Sequence, residues 1–143
     1  MRRHVLTVTL IGALSLSAVI LAAPPDAPVA LAAMRGDIDM VRTLLQQGTD
    51  VNAALGDGMT ALHWAAERND VQMTEMLIYA GANPAAFTRI GQYTPLHIAS
   101  RAGNVATAEA LIESGANVTA RTTASDAEPI HLAAASGNPA LVA

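Results

Sequence analysis

Residues 94–103 have the sequence Thr94-Pro95-Leu96-His97-Ile98-Ala99-Ser100-Arg101-Ala102-Gly103. The Thr94 hydroxyl can accept a backbone N–H left free at the start of a helix. Proline suits the first helical position, because its missing N–H would have no partner there. Gly103 can adopt the left-handed backbone conformation that ends many helices. The stretch therefore predicts a short helix that begins at Pro95 and ends before Gly103.

This pattern recurs along the chain with a period of 33 or 34 residues. Three independent series share the period: His63, His97 and His131; Gly36, Asn69, Gly103 and Gly137; and Gly48, Gly81 and Gly115. A period of this length is typical of arrays in which each unit buries its apolar face against its neighbours. We divide this part of the chain into units at 28–53, 54–86, 87–120 and 121–143, the last of them incomplete.

Each unit also predicts a second helix, because apolar residues recur at steps of three and four positions after the first helix. These residues are Ile38, Val41, Leu44 and Leu45; Val71, Met73, Met76 and Leu77; and Val105, Ala108, Leu111 and Ile112. One face of each second helix is therefore expected to lie in the core. Tyr79, late in the second helix of its unit, is expected to be structural.

Together these motifs resemble the ankyrin repeat. Thr94-Pro95-Leu96-His97 and Thr60-Ala61-Leu62-His63 are similar to its T-P-L-H signature, and Gly48-Thr49-Asp50-Val51-Asn52 and Gly115-Ala116-Asn117-Val118 to its G-A-D-V-N ending. The resemblance covers residues 28–143 and implies an all-α solenoid of helix-turn-helix units, with hairpin-like loops projecting from one edge. It also implies that each signature histidine is structural and bonds the turn beside it. The residues with implied structural roles are Thr60, His63, Thr94, Pro95, His97, His131, Gly48, Gly81, Gly103 and Gly115.

The two outer units depart from this pattern. The first has Pro28-Val29-Ala30 in place of P-L-H, as a capping repeat can. The last has Glu128-Pro129-Ile130-His131, with a poorer helix cap, and stops inside its second helix. The residues 141–143 cannot complete an apolar face alone. We therefore expect this chain to be the front part of a longer array or a truncated gene product.

The N-terminal region has a different character from the repeats. Met1-Arg2-Arg3-His4 is cationic, and residues 5–23 carry no charge, which is the pattern of a secretory signal. We predict a signal peptide at 1–23, cleaved within about residues 18–30, followed by a linker at 24–27. The same apolar run could cross a bilayer as an anchor, and the arginine pair weakly resembles a twin-arginine signal. Because Lys and Cys are absent and Ala and Arg are frequent, we expect a periplasmic or secreted protein, or one anchored in the inner membrane.

Composition excludes several function classes. The 143 residues are enough for one ordinary domain, and the absence of cysteine excludes thiolate metal sites, haem attachment through C-x-x-C-H and thiol nucleophiles. A net charge of -4 without a basic stripe argues against nucleic acid as a partner. Equivalent histidines in stacked units would lie ~8–10 Å apart, too far to share a zinc ion with bonds of ~2.0 Å. We therefore predict no catalytic residue, cofactor, metal or small-molecule substrate.

Recognition of another protein is the remaining function. In the family that the chain resembles, contacts usually come from loop tips and from exposed residues of the first helix. Phe87, Arg89 and Ile90 stand out, since aromatic and arginine side chains are enriched in interface hot spots and a turn requires no apolar tip. Trp64 and Tyr93 could instead fill gaps between units. The candidate protein-binding residues are Met34, Arg35, Asp57, Met59, Trp64, Glu67, Arg68, Phe87, Arg89, Ile90, Gln92, Tyr93 and Arg101.

An exported, non-catalytic protein-binding scaffold is the leading hypothesis. The alternative is a docking arm of a longer exported enzyme or electron-transfer protein whose catalytic domain follows Ala143. The coding sequence after Ala143 would distinguish these two hypotheses. A third hypothesis is a scaffold tethered to the membrane by residues 5–23, which the mass of the mature N-terminus would identify.

Overall fold

A computed structural model of the protein describes residues 26–143, and this part of the chain contains helices and turns but no strand. The predicted signal peptide and the first half of the predicted linker, residues 24 and 25, lie outside the described residues. The helices are α1 (Pro28–Arg35), α2 (Ile38–Gln46), α3 (Ala61–Glu67), α4 (Val71–Tyr79), α5 (Pro95–Ala102), α6 (Val105–Glu113) and α7 (Pro129–Ser136), followed by a short 3-10 helix (Pro139–Leu141). The prediction of an all-α array of helix pairs is confirmed.

The helix ends follow the local signals in the sequence. Proline occupies the first position of α1, α5 and α7. The backbone is left-handed at Gly103, with φ 76°, and Asn69 takes the same conformation with φ 54°. The predicted threonine cap is only partly confirmed. Thr94 Oγ1 accepts the backbone N–H of His97 at 3.4 Å, whereas the Thr60 hydroxyl contacts the His63 ring instead.

The first helices α1, α3, α5 and α7 stack in chain order, and the second helices α4 and α6 pack side by side. Small residues make this close stacking possible, because alanine brings two helix backbones together with little intervening side chain. The fully buried alanines include Ala30, Ala33, Ala61, Ala65, Ala66 and Ala99. Larger side chains fill the space between first and second helices; those fully buried include Leu62, Leu96, Met73, Leu77 and Leu111.

The last unit lacks a second helix. A 3-10 helix of three residues, Pro139–Leu141, lies where α2, α4 and α6 lie in the other units. A cavity of about 170 Å³ remains between α5, α6 and α7, and the partly buried Leu141 lines one side of it. Within residues 26–143, the apolar residues at this position therefore leave a partly open cavity unfilled.

A buried histidine connects each of two units to the unit that follows it. His63 Nδ1 accepts the backbone N–H of Thr60 at 3.1 Å, so its Nε2 carries the proton and donates to the carbonyl of Tyr93 at 2.9 Å. His97 repeats the arrangement, accepting from Thr94 N–H at 3.2 Å and donating to the carbonyls of Ala120 and Ala127. Both imidazoles are fully buried. These two residues are structural, as predicted.

His131 makes only half of this arrangement within the described residues. Its Nδ1 accepts the backbone N–H of Glu128 at 3.0 Å, while the side chain is exposed. The bond that Nδ1 accepts within its own unit therefore forms at all three signature histidines. The bond that Nε2 donates to the next turn forms only at His63 and His97 among the described residues.

Burial lowers the pKa of both His63 and His97 below the ordinary value of 6.5. For His63, the carbonyl of Tyr93 and the charge of Asp57 oppose this shift, but the loss of hydration outweighs them. The folded protein therefore favours the neutral imidazole. A proton on Nδ1 would face the N–H group that this atom now accepts, so protonation and the native hydrogen bonds are incompatible.

We predict that Gly48→Ala lowers the free energy of unfolding by about 1–2 kcal/mol, because Gly48 has φ 75° and an L side chain is disfavoured in that conformation. A Cβ atom at this position would meet no neighbour within 4 Å, so the cost is conformational rather than steric. Gly56→Ala is the matched control, since it has equal open space and no positive φ. Urea unfolding followed by circular dichroism measures both. Equal stabilities of the two variants would contradict the assignment of Gly48 as a helix terminator.

We predict that the free energy of unfolding falls as the pH decreases below about 6.5. In this range His63 and His97 bind protons more readily in the unfolded chain than in the folded protein, where their pKa is lowered. Their contribution is complete above the unfolded pKa and is lost progressively as the pH falls toward the lower folded pKa. His97→Ala should reduce both this pH dependence and, through lost buried hydrogen bonds, the stability at neutral pH by ~1–3 kcal/mol. Urea titrations at neutral and mildly acidic pH measure both effects.

The control is His131→Ala, because the His131 side chain is exposed. In this variant the free energy of unfolding should still fall at low pH. An undiminished decline in His97→Ala would contradict the proposed linkage. A stoichiometric zinc or copper content that disappears in His97→Ala would show instead that this imidazole is a metal ligand.

Candidate protein-binding surface

The loops that join the units are hairpin-like turns stacked along one edge. Thr88 N–H donates to the carbonyl of Tyr93 at 3.0 Å, and Thr122 N–H donates to that of Ala127 at 3.0 Å, closing two equivalent turns. Backbone bonds also join neighbouring turns, since Arg89 N–H donates to the carbonyl of Asp57 at 2.9 Å. The turns are therefore held in position by their neighbours.

The turn over residues 87–93 has internal bonds as well, and we call it the Phe87–Tyr93 loop. Thr88 is 8% exposed; its hydroxyl donates to the carbonyl of Ile90 at 2.9 Å and accepts from Tyr93 N–H at 3.0 Å. Gln92, predicted to contact a partner, has a left-handed backbone with φ 54° and an exposed side chain, so it also builds the turn. Sequence reasoning missed Thr88, although a buried threonine between Phe87 and Arg89 is the residue that shapes the tip.

Two apolar side chains of this loop face the solvent. Phe87 is 57% exposed and Ile90 is 86% exposed. Arg89 between them is exposed too. Because the turn is closed by hydrogen bonds of Thr88, neither apolar side chain is needed to hold the loop in shape. Their exposure therefore has no structural explanation within the described residues.

A depression of about 240 Å³ lies between this loop and the preceding turn, and we call it the loop-edge depression. It is lined by Asp57, Met59, Thr88, Ile90, Tyr93, Ile98 and Arg101. Five of the predicted binding residues thus share one concavity, with Thr88 and Ile98 added by the structure. Its volume is below the ~300–1,000 Å³ typical of small-molecule pockets.

Tyr93 forms the centre of the loop-edge depression. Its ring contacts the His97 ring edge-on, with centroids 6.1 Å apart, and the Arg101 guanidinium lies over the Tyr93 ring, 5.4 Å from the centroid. The stacked guanidinium has no carboxylate within 4 Å among the described residues. Tyr93 therefore both fills a gap between units and presents Arg101 at the surface.

The other candidates lie away from this depression. Trp64 is half-buried and packs against the core, and its enclosed Nε1 atom has no hydrogen-bond partner among residues 26–143, so the indole fills a gap between units. The Arg68 guanidinium lies directly over Gly36 at the end of α1. Arg35 lines a separate depression beside α1 and α2, while Met34 is half-buried and Glu67 is exposed.

The expectation that Tyr79 is structural is wrong. This residue ends α4 and is 96% exposed, with open grooves on both sides of it. The equivalent positions in the neighbouring units hold Gln46 and Glu113, both polar. Comparison of these three positions would have predicted a solvent-facing side chain from the sequence.

Within 26–143, no group of three or more His, Asp or Glu side chains is arranged to hold a metal ion. In the same range, no helix is long and apolar enough to span a bilayer.

Comparison with known proteins agrees with the repeat geometry. A family model described as three copies of the ankyrin repeat matches residues 29–122. The chain is 40% identical over 55 residues to the ankyrin repeat and LEM domain-containing protein 1 homolog of Caenorhabditis elegans, covering 38% of this chain and 8% of that protein. It is 40% identical over 62 residues to human ankyrin repeat domain-containing protein 40, covering 43% of this chain and 17% of that protein.

Human neurogenic locus notch homolog protein 2 is 45% identical over 56 residues, which cover 39% of this chain and 2% of that protein. The chain therefore spans less than a fifth of the length of these relatives. The family model, in contrast, covers more than half of the chain and falls on the units defined by the histidine and glycine series. The chain belongs to the ankyrin repeat family, whose repeats are protein–protein interaction modules.

Proposed function

We propose that this protein is an exported, non-catalytic scaffold that binds another protein through the Phe87–Tyr93 loop. The observation that carries the proposal is the exposure of Phe87 and Ile90 on a turn whose shape depends on other residues. Two large apolar groups that can be desolvated together are the usual basis of an interface hot spot. An interaction module of this family needs no catalytic group.

Rigidity of the loop supports the same function. Binding is weakened when loops must be ordered on association, and a turn that is already closed by hydrogen bonds avoids most of this cost. Thr88 closes the turn from within, and the bond from Arg89 N–H to the Asp57 carbonyl attaches it to the neighbouring turn. The exposed apolar side chains therefore need little further ordering when they contact a partner.

Export rests on the N-terminal sequence. The cationic start, the uncharged residues 5–23 and the small residues Ala22, Ala23 and Ala27 match the three parts of a secretory signal. We place the mature repeats in the periplasm or outside the cell, with retention at the inner membrane by residues 5–23 as the alternative.

The binding proposal is tested by replacing Phe87, Arg89 and Ile90 together with alanine. Because the side chains are exposed and Thr88 remains, the circular dichroism spectrum and the unfolding midpoint should change little. Capture of the native partner from an extract of the exported fraction should weaken by at least ~2 kcal/mol. Unchanged capture by this variant, together with loss of capture in Arg68→Ala/Arg101→Ala, would place the site on the first helices and refute the loop.

The export proposal is tested by the mass of the protein recovered from its natural or expression host. Signal cleavage should give a mature N-terminus within about residues 18–30 in the periplasmic or secreted fraction. An intact Met1 in the membrane fraction would support the anchor instead. Intact protein in the cytoplasm would refute export.

A further inference from the structure

The arginines of the described chain fall into two groups. Arg42 is 2.6 Å from Asp39, and Arg121 is 2.5 Å from Asp126, so both are paired with carboxylates. The other four are exposed and have no carboxylate within 4 Å among residues 26–143; they are Arg35, Arg68, Arg89 and Arg101. This part of the chain holds twelve Asp and Glu residues but only six arginines. Although carboxylates are in excess, none of them pairs with these four arginines.

Two of the unpaired arginines lie at the loop edge. Arg101 lines the loop-edge depression, and Arg89 follows Thr88 in the same loop. Asp57 is the one acidic residue that lines the depression, and its carboxylate already accepts the backbone N–H of Met59 at 2.9 Å. This carboxylate is not within 4 Å of either guanidinium group, so both remain available to a partner.

The position of Arg101 favours a planar anion. A guanidinium stacked on an aromatic ring is restricted in orientation and leaves its N–H edge free, and this edge matches a carboxylate with two parallel hydrogen bonds. Arg101 lies over Tyr93, 5.4 Å from the ring centroid, and no hydrogen bond uses its side chain within the described residues. The partner group at this point should therefore be an Asp, a Glu or a terminal carboxylate.

The walls beside Arg101 are apolar. Met59, Ile90, Tyr93 and Ile98 all line the same depression, and Ile90 is 86% exposed in the free protein. A volume of about 240 Å³ suits one or two side chains rather than a cofactor. An apolar side chain placed here would cover Ile90 and Tyr93 and would also remove water from the Arg101 guanidinium, which strengthens its bond to an anion.

We propose that the loop-edge depression binds an acidic, apolar peptide segment of the partner protein, with an apolar side chain against Ile90 and Tyr93 and a neighbouring carboxylate on Arg101. Arg89 receives a second acidic residue of the segment. A nucleic acid is a poor alternative occupant, because the described chain carries a net charge of -6 and would repel a polyanion outside this edge. This inference rests on the proposed function, since it assigns the partner chemistry of the same surface.

The test uses the full chain and a phage-displayed library of short random peptides. Sequences selected on the protein should be enriched in Asp or Glu next to Leu, Ile, Phe or Met. The best peptide is then synthesised together with a version in which each Glu becomes Gln and each Asp becomes Asn. Titration calorimetry should show that the amide version binds at least about tenfold more weakly, the loss expected for one charge-assisted bond.

Two variants with the same change in charge locate the contact. Arg101→Gln should weaken binding of the acidic peptide at least about tenfold and leave binding of the amide version nearly unchanged. Arg42→Gln is the matched control, since Arg42 is paired with Asp39 on a second helix, and it should keep full affinity. Equal unfolding midpoints would show that both variants remain folded.

The outcomes separate the two proposals. Peptides that lose affinity for the Phe87/Arg89/Ile90 alanine variant but show no preference for acidic residues would leave the binding loop in place and overturn the acidic-segment inference. Peptides that bind this alanine variant and the parent equally would overturn both. Selection of no binding peptide, or stronger binding of short single-stranded DNA than of the acidic peptide, would also overturn the inference.

Discussion

Two buried imidazoles join successive units of this protein. His63 and His97 each satisfy a backbone group of their own unit with one nitrogen and a carbonyl of the next unit with the other. Together the two bonds require a neutral ring with its proton on Nε2, because a charged ring could still donate from Nε2 but could no longer accept at Nδ1. A single side chain therefore sets the start of a helix and the position of the following turn, and it does so only while the ring stays uncharged.

The position of the proposed binding loop depends on this interaction. The carbonyl that accepts from His63 belongs to Tyr93, the last residue of the Phe87–Tyr93 loop. Tyr93 in turn contacts the His97 ring and supports Arg101. The exposed tip is thus attached at its base to two buried imidazoles from two successive units. A surface built on such a base can present apolar side chains without being deformed by them.

Sequence reasoning predicted the features that depend on local chemistry. The left-handed turns at Gly103 and Asn69 follow from local signals, and the role of His97 was implied by the family resemblance of its motif, so both could be predicted without a structure. Side chains whose surroundings come from another unit were harder to place. Trp64 proved to be enclosed against the core, and Arg68 lies over Gly36 of the preceding unit; neither contact can be derived from spacing along one helix. Tyr79 was misassigned because its own helix was considered without the equivalent positions Gln46 and Glu113.

Stacking of successive units has a consequence for local opening of the protein. Because each unit contacts only its neighbours, opening fluctuations should be most frequent where a unit has the fewest packed contacts, and amide hydrogen exchange should be fastest there. Among the described units this is the last, in which a 3-10 helix replaces the second helix and a cavity remains. The Phe87–Tyr93 loop belongs to an interior unit that is packed on both sides. Opening of residues 121–143 would therefore leave unchanged the shape of the surface that we assign to recognition.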